Sequence, residues 1–214
     1  MLDTAWIWRN LPKIWDLLVQ HAVLSYVPVV VGLLIALPVG IACVRWRWCY
    51  PIALAASSAF FAIPSLALFV LLLPYTGLTA ATAIIPLTLY TASLLLRNIV
   101  DGIRSTDDSV RQAAAAMGYR PMRRLVSIEL PIATPLILGG LRVAAVANIS
   151  MVSVASVIGV ASLGDLFIDG TQRFFATPII VGIVLTAVLA LITDLVLVSV
   201  QRVLTPWGQT RRSK

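Results

Sequence analysis

Five long apolar runs, separated by short charged segments, constrain the fold of this chain more than any other feature. A helix needs about 20 mainly apolar residues to cross the hydrocarbon core of a bilayer. The runs of sufficient length lie at about 22–44, 51–73, 79–98, 132–159 and 178–201. Only 12% of the 214 residues are charged, about half of the share in an ordinary soluble domain. Because backbone groups in lipid must bond within their own segment, the runs predict an all-α integral membrane fold with five transmembrane helices, forming one domain over residues 1–214.

The segment at about 5–20, AWIWRNLPKIWDLLVQ, precedes the first run and is amphipathic. Its apolar residues recur at helical spacing and are Ile7, Leu11, Ile14, Trp15 and Leu18. The opposite face carries Arg9, Lys13, Asp16 and Gln20. With its tryptophans, this pattern favours a helix that lies in the plane of the membrane interface. The alternative is a simple extension of the first transmembrane helix.

Basic residues are divided unequally between the two sets of loops. One set holds twelve, namely Arg45, Arg47, Arg97, Arg104, Arg111, Arg120, Arg123, Arg124, Arg202, Arg211, Arg212 and Lys214. The opposite set holds three, namely Arg9, Lys13 and Arg173. Because cytoplasmic loops carry the excess of Lys and Arg, the first set is predicted to be cytosolic. Five crossings then place the N-terminus outside and the C-terminus in the cytosol.

Several functional classes are excluded by the residue pattern. The net charge of +7 does not indicate a nucleic-acid partner, because the basic residues are scattered through loops instead of forming a stripe with aromatics. His21 is the single histidine, and Cys43 and Cys49 lack a C-x-x-C spacing, so no metal site is expected. The sequence contains no phosphate loop of the G-x-x-x-x-G-K-[ST] type and no convincing nucleophile with a base. We therefore expect a non-catalytic chain that binds no cofactor.

A polar segment at about 107–130 interrupts the apolar runs. Four alanines at 113–116 give a slim helical surface that can press into a neighbour's groove, since Ala is the best helix former. Gly118 can take a positive φ and turn the chain, and Pro121 can open a second helix at its first turn. The segment therefore predicts a cytosolic docking element, with an ordinary amphipathic helix on the membrane surface as the alternative.

The spacing within this segment resembles the cytoplasmic coupling loop of permeases of ATP-binding-cassette (ABC) importers. That loop has the pattern E-A-A, three residues, G, nine residues, I-x-L-P. The matching positions here are Gln112, Ala113, Ala114, Gly118, Ile128, Leu130 and Pro131. Gln112 departs from the pattern, because the family usually has Glu at this place. The resemblance implies that these seven residues couple the chain to an ATPase.

Four further segments resemble the permeases that import quaternary-amine osmoprotectants such as glycine betaine, choline, carnitine and proline betaine. They are AIPSLAL at 62–68, LRN at 96–98 followed by GI at 102–103, SLGDL at 162–166 and QRVLTP at 201–206. The resemblance thus covers about residues 20–207. A permease for methionine or another amino acid is the nearest alternative. An ion channel would call for charged rings or a pore-lining repeat, and a membrane scaffold would leave the spacing at 112–131 unexplained.

The resemblance also implies the partners of the chain. Two ATPase subunits would bind ATP and Mg and receive the coupling segment. A second permease subunit, either the same chain or a related one, would complete the transport route. A substrate-binding protein would deliver cargo on the outer face, near the external loop that contains Gly164 and Asp165. All of this would take place in the cytoplasmic membrane of a prokaryote, with the lipid bilayer around the spans.

Polar residues within the apolar runs are candidates for a transport route, because such groups are costly in lipid. The candidates are Pro64, Ser65, Asn148, Ser150 and Ser153. A packing role is the alternative: Asn and Ser also bond across helices, and Pro64 can be only a kink. A quaternary ammonium group in the route could rest on an aromatic face.

Arg142 and Asp194 are the ionised residues deepest within the apolar sequence. Arg142 lies about 15 Å along a straight helix from the start of its span, so it requires a partner or water. Asp194 can pair with it if both lie towards the cytosolic half. In the alternative, Arg142 extends towards the headgroups and Asp194 reaches the cytosolic edge separately.

Overall fold

The computed structural model describes residues 2–46 and 48–206, and most of that part of the chain is helical. The predicted all-α fold is confirmed. The α-helices are α1 (Thr4–Arg9), α2 (Leu11–Arg45), α3 (Cys49–Ala62), α4 (Ser65–Thr76), α5 (Ala80–Arg104), α6 (Asp108–Ala116), α7 (Pro121–Arg124), α8 (Leu130–Ala155), α9 (Gly164–Gln172) and α10 (Ala176–Leu204). A π-helical turn, Leu125–Glu129, joins α7 to α8, and a 3-10 turn, Ser156–Ile158, follows α8.

Four helical segments of the described chain are long and apolar enough to cross a membrane: α2, α5, the continuous segment Pro121–Ile158 and α10. Helices α3 and α4 pass the same test together, so a fifth crossing results if this bent pair is one span. If α3 and α4 are counted as one span, the structure agrees with the prediction of five crossings. Four residues of the predicted cytosolic basic set, Arg47, Arg211, Arg212 and Lys214, lie outside the described residues.

The second predicted span, 51–73, is broken in its middle, with a bend of 91° between α3 and α4. Ile63 takes extended dihedral angles (φ −77°, ψ 129°), because the ring of the following Pro64 disfavours the helical region. Pro64 also lacks the N–H that a continuous helix requires. The Tyr90 hydroxyl donates a hydrogen bond to the carbonyl of Ile63. Pro64 therefore does more than kink a helix, since it separates two helices.

The N-terminal segment is not one helix over 5–20. Helix α1 ends at Arg9, and Asn10 has non-helical dihedral angles (φ −103°, ψ 7°). Helix α2 then begins at Leu11 with Pro12 in its first turn, a position where the missing N–H does no harm. Residues 11–20 therefore extend the first long helix, as in the alternative interpretation. The location of α1 at a membrane interface stays a prediction.

Helices α2, α5 and α8 form the centre of the fold, with α5 packed along the other two. The central cluster contains the fully buried Leu95, Ile99 and Ile103 of α5. Ala133 and Ala145 of α8 pack into the same cluster. Burial of these apolar side chains between neighbouring helices positions the turns that follow α5 and precede α8.

Small residues on α2 allow α5 to approach closely. Gly32, Ala36 and Gly40 recur every four positions, so they share one helix face. A Cβ atom on Gly32 would lie 2.6 Å from the Cβ of Thr91, and one on Gly40 would lie 2.5 Å from the Cγ2 of Ile99. The contact between α2 and α5 therefore depends on the missing side chains at these glycines.

Gly32→Ala should destabilise the chain, because the added methyl group would force α2 and α5 apart. Overpacking of this kind costs about 1–3 kcal/mol, which thermal unfolding in detergent would detect as a lower midpoint. Gly139→Ala is the matched control, because a Cβ there meets no atom within 4 Å and Ala favours helix. Equal midpoints for Gly32→Ala and Gly139→Ala would contradict the close contact.

The predicted external loop around Gly164 and Asp165 is helical, because both residues lie in the first turn of α9. Gly164 contacts α8 so closely that a Cβ atom would lie 2.1 Å from the carbonyl oxygen of Ser153. The Gly164 N–H donates to the Ser162 hydroxyl at 3.1 Å. The prediction of a loop was therefore wrong for Gly164 and Asp165. The absence of a side chain at Gly164 allows α9 to pack closely against α8.

Candidate functional site

Helix α6 begins with a side-chain cap. The Asp107 carboxylate accepts a hydrogen bond from the Ser109 N–H at 2.8 Å, and Asp108 places a second negative charge in the first turn. Hydrogen bonds from the side chain and backbone of Ser109 lower the pKa of Asp107 below its ordinary value. Negative charge at a helix N-terminus interacts favourably with the helix dipole. Asp107 and Asp108 therefore fix where α6 starts.

The end of α6 is set by Gly118. Its φ of +81° lies in the left-handed region, which glycine adopts without steric cost. The Tyr119 N–H donates to the Ala114 carbonyl at 3.1 Å, and the Gly118 N–H donates to the Ala115 carbonyl at 3.0 Å. This pair of bonds is the Schellman motif of a helix C-terminus. Pro121 then opens α7 in its first turn, so the predicted turn and second helix are both present.

The seven predicted coupling residues differ in their exposure. Gln112, Ala113 and Gly118 are exposed on α6 and the turn after it, whereas the neighbouring Ala114 is buried. The remaining three, Ile128, Leu130 and Pro131, are half-buried in the π-helical turn and the start of α8. Only the α6 end of the pattern therefore offers an open surface, while its other end connects that surface to a span.

A buried carboxylate, Glu129, lies between α6 and α8 and was not among the predicted site residues. Its side chain is 6% exposed, and its Oε1 lies 2.8 Å from Nε of Arg124 and 3.8 Å from Nε of Arg111. Arg111 also donates through Nη2 to the carbonyl of Ile103 at 2.9 Å and reaches Asp108 at 3.3 Å. Glu129 is the only acidic residue between positions 108 and 165, and it follows a segment rich in arginine. A single carboxylate near several arginines was the feature of the sequence that could have indicated this ion pair.

The structure does not gather the predicted route residues at one place. Asn148 is buried and donates from Nδ2 to the Thr91 hydroxyl at 2.8 Å, which is the interhelical bond of the packing alternative. Ser150 is exposed and Ser153 half-buried on α8. Pro64 is exposed and Ser65 half-buried at the break between α3 and α4.

A cleft of about 440 Å³ opens beside this break, between α3 and α5. Its polar lining residues are Ser57, Ser58, Ser93, Arg97 and Asn98. Phe61 closes one side and packs edge-to-face on Tyr90 with ring centroids 5.7 Å apart. Within the described residues the three serine hydroxyls have no hydrogen-bond partner, so they can bond to a molecule in the cleft. No pattern in the sequence indicates this cleft, because it combines residues from two spans.

Arg142 and Asp194 form an ion pair, so the pairing hypothesis is confirmed. Nε of Arg142 donates to Oδ1 of Asp194 at 2.8 Å, and Nη2 donates to Oδ2 at 2.9 Å. Two parallel bonds of this kind are the strongest arrangement for a guanidinium and a carboxylate. The pair joins α8 to α10 within the membrane-crossing part of the chain.

His21 is fully buried and joins three elements. The Leu163 N–H donates to its Nδ1 at 3.3 Å, and its Nε2 lies 2.9 Å from the carbonyl oxygen of Ile149. Because Nδ1 accepts, the ring proton lies on Nε2 and is donated to Ile149. A neutral His21 thus connects α2, α8 and the segment before α9.

Membrane-crossing helices around an ordered polar segment define a polytopic α-helical membrane protein. The family model described as binding-protein-dependent transport system inner membrane component matches residues 22–206. The chain belongs to this family and is therefore a multi-pass inner-membrane permease subunit with a transport role.

Three curated relatives are all named as permease proteins for choline or other osmoprotectants. The choline transport system permease protein OpuBB of Bacillus subtilis is 31% identical, over 90% of this chain and 88% of the relative. The osmoprotectant import permease protein OsmW of Salmonella typhimurium is 33% identical, over 88% of this chain and 90% of the relative. The glycine betaine/carnitine/choline permease protein OpuCD of Bacillus subtilis is 32% identical, over 87% and 82%.

Solved structures of other ABC transporters share the fold. An inward-facing structure of the methionine ABC transporter MetNI aligns with a TM-score of 0.79 at 20% identity, covering 95% of this chain and 100% of that chain. An amino acid ABC transporter crystallised with histidines gives a TM-score of 0.77 at 20% identity, covering 94% and 99%. At these identities the likeness concerns the fold alone.

Proposed function

We propose that this chain, with a second permease subunit, forms the membrane route of an ATP-driven importer for small quaternary amines such as choline, glycine betaine, carnitine and proline betaine. The observation that carries the proposal is the agreement among relatives at 31–33% identity, whose names all refer to these osmoprotectants. Import of methionine or another amino acid is the second candidate, favoured by the fold shared with amino-acid transporters.

The exposed part of α6 would receive the ATPase. Gln112, Ala113 and Gly118 are open on this surface, and the preceding turn is ordered by the Asp107 cap. Two ATPase subunits would bind ATP and Mg, so the permease itself would need no cofactor. Their closure on ATP would push α6 and tilt the spans between inward-open and outward-open arrangements, which is a rigid-body change.

The orientation of the chain in the membrane follows from the proposed contact between α6 and a cytosolic ATPase. With α6 in the cytosol, the basic loops at the ends of α2, α5 and α10 are cytosolic too, in agreement with the positive-inside rule. The N-terminus and α9 would then lie on the outer side of a prokaryotic cytoplasmic membrane. A substrate-binding protein would deliver its cargo there.

The transport route would follow the break in the second span and the cleft beside it. Pro64 and Ser65 lie at the break, and a quaternary ammonium group could rest on the ring of Phe61 in the cleft. Ser150 and Ser153 would face the route from α8. Asn148 would support it indirectly, through its bond to Thr91.

Reconstitution with the partner ATPase and binding protein would test the proposal. We expect ATP-dependent uptake of labelled choline or glycine betaine into vesicles, and no uptake of labelled methionine. Methionine uptake without choline or betaine uptake would select the second candidate. Transport by the permease without any ATPase would contradict an importer of this class.

Gln112→Glu should leave uptake within about twofold of the wild type. Gln112 is exposed near the middle of α6, so a carboxylate there stays solvated and restores the usual residue of the pattern. Initial uptake rates in the reconstituted complex would measure the effect. A severe loss would show that α6 meets the ATPase through a different register.

A further inference from the structure

Among the residues that the structure describes, Glu129 is the one carboxylate that contacts both α6, through Arg111, and the segment before α8, through Arg124. Its side chain is 6% exposed, while those of Arg111 and Arg124 are 25% and 29% exposed. A buried carboxylate requires charged partners, because its desolvation is otherwise expensive. Removal of either contact would therefore disturb the neighbouring elements as well as the glutamate.

Arg111 extends this connection to a second span. One end of its guanidinium donates to the carbonyl of Ile103 at 2.9 Å, near the C-terminus of α5. Its Nε faces Glu129 on the way to α8. A single side chain on α6 thus touches the ends of α5 and the α7–α8 segment, which are the two elements that flank the docking helix in sequence.

The contact between Arg111 and Glu129 is incomplete in this structure. Nε of Arg111 is buried and makes no hydrogen bond within the described residues, and its distance of 3.8 Å to Oε1 of Glu129 exceeds the usual range by about 0.6 Å or more. A displacement of about 1 Å would complete the bond. The structure therefore shows the pair in a loose arrangement, which a small displacement would convert into a hydrogen-bonded one.

We propose that Glu129 is a positioning residue that, through Arg111, makes α6 and the α7–α8 segment move as one unit. The inference rests on the proposed function, because it concerns how movement of the docking helix reaches the spans. The π-helical turn that ends at Glu129 fits this role, since π-helical turns within helices occur frequently at functional sites. Arg124 supports the carboxylate from within the same continuous segment, so it does not itself bridge to α6.

Coupling between ATP hydrolysis and uptake tests the proposal in the reconstituted complex. We expect Glu129→Gln and Arg111→Met each to lower the number of substrate molecules taken up per ATP by about fivefold or more. The double variant should lose less than the product of the two single losses, because both single variants remove the shared contact between Arg111 and Glu129. Arg124→Met should have a smaller effect, and the exposed Asp16→Asn, which makes the same carboxylate-to-amide change, should have none.

Two results would overturn the proposal. One is a wild-type ratio in Arg111→Met together with a large loss in Arg124→Met, which would confine the role of Glu129 to its own helix. The other is a double variant whose loss equals the product of the two single losses. Arg111→Met carries the test if Glu129→Gln does not assemble, because it removes the same contact and leaves Glu129 paired with Arg124.

A distance measurement separates this proposal from the choice of substrate. Spin labels at Ala115→Cys on α6 and Leu136→Cys on α8, in a background with Cys43 and Cys49 replaced by Ala, report the separation of the two elements with and without ATP. We expect one narrow distribution in both states, broadened by Glu129→Gln. Unchanged distributions in Glu129→Gln would contradict the role of Glu129, whereas absence of quaternary-amine uptake by the wild type would contradict only the proposed function.

Discussion

Gly118→Val should abolish most substrate uptake while ATP hydrolysis continues. The φ of +81° at Gly118 costs an L-residue about 1–2 kcal/mol, and a β-branched residue is a genuine outlier there. A Cβ atom at this position meets no atom within 4 Å, so crowding is not the cause. The backbone would leave the left-handed region, and the exit of the chain from α6 would change direction.

The uptake rate per ATP hydrolysed in reconstituted vesicles measures this effect, and we expect a fall of about tenfold or more. Gly118→Asn is the matched control, because Asn tolerates the left-handed region and should retain most of the uptake. The permease should stay in the membrane in both variants, since Gly118 lies outside the spans. Wild-type uptake by Gly118→Val would contradict the coupling role of this turn.

Asp194→Leu should strongly reduce the amount of folded permease in the membrane. It removes one partner of a bidentate ion pair and leaves the Arg142 guanidinium unpaired in an apolar environment. An arginine at the centre of a membrane helix costs about 3 kcal/mol or more. The yield of monodisperse protein and its thermal midpoint in detergent would measure the loss.

The double variant Arg142→Met/Asp194→Leu is the control for Asp194→Leu. Arg142 and Asp194 are half-buried. Because replacement of both members even of a fully buried pair by apolar residues is often neutral for stability, the yield and the midpoint should return towards the wild type. Equal losses in the single and the double variants would mean that the pair contributes something other than charge compensation between α8 and α10.

Local backbone chemistry explains which parts of the fold could be predicted from the sequence. The turn at Gly118 and the new helix at Pro121 depend on one residue each, and both are present as predicted. Pro64 was visible as an irregularity, but the 91° bend also depends on α5, where Tyr90 bonds to the carbonyl of Ile63. Gly164 of α9 was assigned to a loop because its close neighbour, Ser153, lies on another helix.

Tertiary proximity explains what the sequence left open. Arg142 and Asp194 are 52 positions apart, and pairing and separate exposure were equally consistent with the sequence. Arg111 and Glu129 lie within one charged stretch, but their contact requires the chain to reverse at Gly118 and return along α7. The cleft between α3 and α5 likewise combines serines from two spans. Assignment of Ser150 and Ser153 to the transport route stays a prediction.

The continuous segment Pro121–Ile158 has 38 residues, which corresponds to a length of up to about 57 Å at 1.5 Å per residue. This is almost twice the roughly 30 Å of a hydrocarbon core. A rigid rod of this length with a pivot near Ile158 would move its far end by about 5 Å for a tilt of only about 5°. Under the proposed function, a displacement of several ångströms at Pro121 would therefore become only a small rotation of this segment within the bilayer.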